Sequence, residues 1–225
     1  MTEPTDADGD TSGPLAPDPG PARPRRRAAL TAVLGDLRAV DGALYAAVAA
    51  TSTPVLDRAL RRLSHAADHS KVSLGIAAAL AVSGARPRRA ALVGVGAVAV
   101  ASASSNLLGK RLVRRARPDR EAARVTVDRY VPMPASASFP SGHTASAVAF
   151  ATAVGVVLPA AAVPLGALAS AVGYSRVHTG VHYPGDVAAG AVLGIASAAA
   201  ALAMAAAAPV PGLRSVYSAT PPGPG

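Results

Sequence analysis

The sequence predicts an all-α fold, a membrane-embedded helical bundle of about five spans preceded by amphipathic helices. Three observations carry that expectation. Residues 90–109, 144–175 and 187–208 contain no Asp, Glu, Lys or Arg, and each run reaches the roughly 20 residues that a helix needs to cross a bilayer. Half of the chain is apolar (51%), yet aromatic residues make up only 3% and alanine dominates, which suits small-residue helices that pack backbone to backbone. Cysteine is absent, so neither disulfides nor thiolate chemistry enters.

The ends of the chain differ from its middle. Residues 1–27 hold Asp6, Asp8, Asp10, Asp18 and many prolines before Arg25, Arg26 and Arg27. That order reverses the charged and apolar regions of a signal peptide. This stretch and the proline-rich residues 209–225 read as disordered tails. From Leu30, the apolar residues Val33, Leu34, Leu37, Val40, Leu44 and Val48 recur at helical spacing, with Asp36, Arg38 and Asp41 between them. A second stripe follows at Leu56, Ala59, Leu60, Leu63 and Ala67, beside Asp57, Arg58, Arg61, Arg62 and His65. Residues 28–67 are therefore expected as amphipathic helices suited to a membrane interface.

The membrane catalytic region is expected over residues 68–208. Residues 72–85 are uncharged but short, so a span there has to start near Ala66 with Lys71 snorkelling. Residues 90–109 form the next span. Pro159 and Pro164 divide residues 144–175 into a helical hairpin. Residues 187–208 make the last crossing.

The net charge of +9 admits nucleic acid, anionic lipid or a phosphorylated substrate. No basic stretch is interleaved with aromatics, so nucleic acid is the poorest fit. The loop 110–140 carries Lys110, Arg111, Arg114, Arg115, Arg117, Arg120, Arg124 and Arg129. Alone, such a run is a solvated face. Beyond Arg129, however, only Arg176, Asp186 and Arg214 are formally charged, and ionisable groups placed at membrane segments mark functional sites.

Pro140 and Ser141 read as a helix start, which points free N–H groups toward a bound anion. Gly142 lets that anion approach the backbone. With Lys110, Arg117 and Arg176 this supplies the positive charge and donors that a phosphoryl group in transfer needs. His182 and Asp186 stand four apart, so the carboxylate can hold one imidazole nitrogen and leave the other as nucleophile. His143 is the choice for the acid that protonates the leaving oxygen.

The segments KRLVRRARP (Lys110–Pro118), PSGH (Pro140–His143) and SRVHTGVHYPGD (Ser175–Asp186) resemble, in order and spacing, the three-part signature of the type 2 phosphatidic acid phosphatase (PAP2) superfamily. The resemblance covers roughly residues 70–208. It implies a helical membrane fold related to the haloperoxidases and hydrolysis through a phosphohistidine, with no cofactor and no metal required. It assigns phosphate binding to Lys110, Arg117, Ser141, Gly142 and Arg176, the acid to His143, the nucleophile to His182 and its orientation to Asp186. His178 is left as a structural or pocket-edge residue, and His65 and His69 receive no role.

The expected partner is a lipid phosphate in the cell membrane: phosphatidate, a prenyl phosphate or diphosphate, or a decaprenyl-linked ribose phosphate. If residues 28–65 stay in the interface, most basic residues share the active-site side, and the positive-inside rule sets that side in the cytoplasm. If residues 28–50 cross, the site lies outside. Two alternatives stand beside this reading. One is a metal-dependent membrane hydrolase with His178, His182 and Asp186 on one helical face; the other is a non-catalytic protein that binds an anionic lipid.

Overall fold

The computed structural model describes residues 23–207 and, among them, seven helices. These are α1 (Arg23–Ala50), α2 (Pro54–Ala66), α3 (Lys71–Val82), α4 (Ala85–Ala103), α5 (Gly142–Val157), α6 (Pro159–His178) and α7 (Pro184–Ala207). Helical turns at Asp68–Ser70, Lys110–Leu112 and Val127–Arg129 punctuate the connections. Most of both proline-rich tails lies outside the described residues, although α1 is helical from Arg23.

The chain forms two compact units that part between Ala39 and Val40. In the first, residues 28–39 form the opening of α1, and every side chain is exposed, including Leu30, Val33, Leu34 and Leu37. In the second unit the rest of α1 buries Asp41, Tyr45 and Ala49 and leaves Val40 and Leu44 outward. Helix α2 behaves alike. It buries Asp57 and Ser64, while Leu56 and Ala59 are exposed and Leu60 and Leu63 half-buried, so the first part of the apolar stripe faces outward. An apolar face directed outward is at rest only in an apolar surrounding.

Five apolar helices occur where the sequence places them, with one correction of length. Helix α3 starts at Lys71 and not near Ala66, because His69 and Ser70 adopt positive φ (56° and 58°) and break the backbone there. It has 12 residues, or about 18 Å of rise. Among the described residues two helical stretches, Ala85–Leu107 and Pro184–Ala207, are long and apolar enough to cross a membrane by length and composition.

Pro159 occupies the first turn of α6, so the hairpin turns at Leu158, and Pro164 is carried inside the helix. Helix α5 packs against α4, α6 and α7. Its neighbours approach closely because their contact residues are small: Ala90, Ala97, Ala145, Ala149, Ala153 and Ala198 are fully buried. A Cβ on Gly190 or Gly194 would come within 2.6 Å of the Ser141 or Ala145 carbonyl oxygen. This is the packing of membrane helices, which rests on close backbone contact in place of large side chains.

Candidate active site

The three motif segments converge. The Ser141 N–H donates to the Asp186 carbonyl at 2.9 Å, tying the PSGH turn to the first turn of α7. The Ser141 hydroxyl caps α5, accepting from the Thr144 N–H at 3.5 Å and from the Thr144 hydroxyl at 3.0 Å. A Cβ on Gly142 would meet Ser105 Oγ at 3.1 Å, which packs the π-helical end of α4, Ser104–Gly109, against the same turn. Lys110 follows directly in the chain; its side chain lies outside the described residues.

His182 lies in the turn between α6 and α7 and is 2% exposed. Its Nδ1 is 3.5 Å from Asp186 Oδ2, and its Nε2 is 3.3 Å from Arg117 Nη1. The carboxylate thus stands on one side of the ring and a cation on the other. Burial pushes the imidazole down to about 4, with Arg117 and Arg176 adding to burial and Asp186 opposing it. His182 is accordingly neutral near pH 7, the protonation state a nitrogen nucleophile requires.

Arg117 clamps the surrounding backbone, donating to Ser136 O (2.9 Å), Val181 O (2.8 Å) and Ala137 O (3.3 Å). Arg176, 2% exposed, gives Nη1 to the Ser64 hydroxyl, and its buried Nε has no hydrogen-bond partner. His143 pairs through Nε2 with Asp68 Oδ1 at 2.9 Å. A narrow apolar crevice of about 20 Å³, lined by Ile76, Phe150, Leu165 and Val172, lies beside His143.

Several contributors were not singled out from the sequence. Arg115 bridges two carboxylates, Asp41 at 2.6 Å and Asp186 at 3.0 Å, with its guanidinium 4.0 Å above the Tyr183 ring. Asp41 also accepts from the Gly185 N–H at 2.7 Å. Ser64 and Asp68 reach the site from α2 and the turn behind it. The available signal was weak but present: Asp41 interrupts an apolar stripe, and Asp57, Ser64 and Asp68 fall seven and four residues apart along helical turns.

His178 is structural. Its Nε2 meets Asp57 Oδ1 at 2.8 Å, and Asp57 also accepts from Arg129 Nε at 2.9 Å. Because α6 ends at His178 and α7 begins at Pro184, His178, His182 and Asp186 do not share a helical face. This corrects the geometry on which the metal-dependent alternative rested. His65 Nδ1 lies 3.6 Å from Asp68 Oδ2.

Residues 90–208 match the PAP2 superfamily. Over 138 residues the chain is 44% identical to decaprenylphosphoryl-5-phosphoribose phosphatase of Mycobacterium tuberculosis, a match spanning 60% of this chain and 72% of that protein. The corresponding Mycolicibacterium smegmatis phosphatase is 39% identical over 158 residues, 68% of this chain and 82% of the relative. Among solved structures, a transmembrane PAP2 type phosphatidylglycerolphosphate phosphatase from Bacillus subtilis has a similar fold. It superposes with a TM-score of 0.60 at 22% identity, covering 76% of this chain and 87% of that one.

Proposed function

The chain belongs to the PAP2 superfamily and is a membrane phosphatase of lipid-linked phosphate, and from that premise we propose that it dephosphorylates a decaprenyl-linked ribose phosphate through a phosphohistidine. The observation that carries the mechanism is the placement of His182, with a carboxylate at Nδ1 and a guanidinium at Nε2. The substrate reading rests on the relatives of this name.

In the first step His182 Nε2 attacks phosphorus, the bond from phosphorus to the lipid-side oxygen breaks, and His143 delivers a proton to that oxygen. Lys110, Arg117 and Arg176, with Ser141 and the Gly142 N–H, hold the three oxygens on which charge gathers. In the second step water attacks the phosphohistidine, His143 takes a proton from it, and the P–N bond opens to release phosphate and neutral His182. Asp186 holds the ring throughout. The same reading places the protein in the cell membrane, with the site on the more basic, cytoplasmic face.

The test is phosphate release by the purified chain from a panel of decaprenylphosphoryl-5-phosphoribose, prenyl phosphate, prenyl diphosphate and phosphatidate, beside His182→Ala and His143→Ala. The first substrate is expected to give the highest kcat/KM, and His182→Ala to abolish release from all. Undiminished turnover by His182→Ala removes the nucleophile; equal rates on phosphatidate and the ribose phosphate remove the substrate assignment. For sidedness, a reporter inserted between Arg120 and Arg129 is expected to report cytoplasmic exposure, and an extracytoplasmic signal reverses it.

A further inference from the structure

His182 has its carboxylate four residues away in the same motif, but His143 has none of its own. Between Asp128 and Asp186 the sequence contains no acidic residue at all. The partner of His143 comes instead from far upstream, from Asp68, which lies before the residues that match the superfamily.

Three features set Asp68 apart from an ordinary surface acid. Its Oδ1 is 2.9 Å from His143 Nε2, the imidazole N–H donating. Burial acts to raise its carboxyl, yet the hydrogen bond and charge of His143 hold it below the usual carboxylate range. It also continues a helical stripe whose other polar members each hold a buried group of α6: Asp57 holds His178, and Ser64 holds Arg176. The segment from α2 through Ser70 thus acts as a backing strip for three ionisable side chains, His178, Arg176 and His143, of which Arg176 and His143 belong to the reaction.

We propose that Asp68 is the positioning residue of the general acid, fixing the proton of His143 on Nε2 and the plane of its ring so that Nδ1 is the nitrogen that exchanges protons with substrate and water. The inference rests on the assignment of His143 to acid and base duty. In the first step Nδ1–H protonates the leaving oxygen; in the second Nδ1 accepts the proton of the attacking water, while Nε2–H stays on Asp68 throughout. Burial, with Arg176 and His182 adding to it, pushes His143 down to about 4, and the hydrogen bond and charge of Asp68 oppose that shift; His65 is the further titratable group beside Asp68. The negative charge of Asp68 offsets part of that lowering and so reduces the cost of reaching the imidazolium that the first step uses.

The experiment compares Asp68→Asn, Asp68→Glu, His143→Ala and the double variant Asp68→Asn/His143→Ala of the full chain. Decaprenylphosphoryl-5-phosphoribose in mixed micelles is the substrate, and kcat and KM are measured across pH. Loss of such an outer partner is expected to lower kcat about 10- to 100-fold, with KM within about twofold. The basic limb of the kcat profile, which reports the protonated acid, is expected to move to lower pH. Asp68→Glu is expected to recover part of the rate, and the double variant to be no slower than His143→Ala. A normal Asp68→Asn beside an inactive His143→Ala overturns the inference and leaves the acid assignment standing. An unaffected His143→Ala overturns that assignment first. A rate loss in Asp68→Asn without movement of the basic limb, or one additive with His143→Ala, reduces Asp68 to a scaffold residue and also overturns the inference.

Discussion

Replacing Arg115 by Met removes one cation from between two carboxylates and keeps the length of the side chain. Asp186 is fully buried, and among the described residues Arg115 is its one ionic partner at hydrogen-bond distance, 3.0 Å, apart from the looser His182 contact. Without Arg115 the buried carboxylate keeps the Tyr183 N–H at 3.0 Å but loses its charged donor. A hydrogen bond to a charged group contributes about 1.5–3 kcal/mol. If that energy holds the carboxylate against His182, its loss raises the barrier by a similar amount, about 10- to 150-fold in rate. Arg115→Met is therefore expected to lower kcat/KM by that factor, mostly in kcat, in a phosphate-release assay. Asp41→Asn, which loosens the other end of the bridge, is expected to produce a smaller loss of the same kind. A folded Arg115→Met enzyme within threefold of the unaltered chain refutes the argument that Asp186 depends on this bridge.

The acid limb of kcat/KM is expected near pH 4, since His182 must be neutral to attack and burial holds it at about 4; activity falls as pH drops through that value. Arg117 contributes to the lowering, so Arg117→Gln moves the limb to higher pH besides weakening turnover, and a profile unchanged by the substitution contradicts the contact at His182 Nε2. Asp57→Ala leaves Arg129, 1% exposed, and His178 without their shared carboxylate. Removing one partner of a buried pair costs about 3–5 kcal/mol, so the melting temperature in detergent is expected to fall by about 6–15 °C at the few degrees per kcal/mol usual for this size; no change removes the cluster from the folding account. Gly190→Val places a branched side chain where even a Cβ would approach the Ser141 carbonyl to 2.6 Å, and both thermal stability and phosphate release are expected to drop, whereas Gly96→Val, with open space around it, is expected to be silent.

The parts of this fold that could be read from the sequence were those with a period or a spacing. Uncharged runs marked α4, α5, α6 and α7 because hydrocarbon tolerates no unpaired charge. Pro159 marked the hairpin because its missing N–H is tolerated in the first helical turn. The motif positions were legible because Arg176 and Asp186, which bracket His182, are the only formal charges between Arg129 and Arg214. Asp41, Ser64, Asp68 and Arg115 were not, since Ser64, Asp68 and Arg115 are single polar residues in polar-rich segments and Asp41 is a lone acid with no neighbouring motif. Their significance lies in contacts between residues 71 to 144 positions apart. Periodicity did not show which side of α1 and α2 meets the protein: it identifies the side that avoids water, and Asp41, Asp57 and Ser64 are the residues that turn inward.

That inversion has a consequence for how the enzyme is handled. Val40, Leu44, Val55 and Leu56 point away from the protein, while Asp41, Asp57 and Ser64 on the same two helices grip Arg115, Arg129, His178 and Arg176. If these outward faces lie against lipid, the bilayer helps hold the ion-bearing sides of both helices inward. Extraction into a medium that wets those faces poorly is therefore expected to loosen α1 and α2 and lower activity before the alanine-packed bundle behind them unfolds.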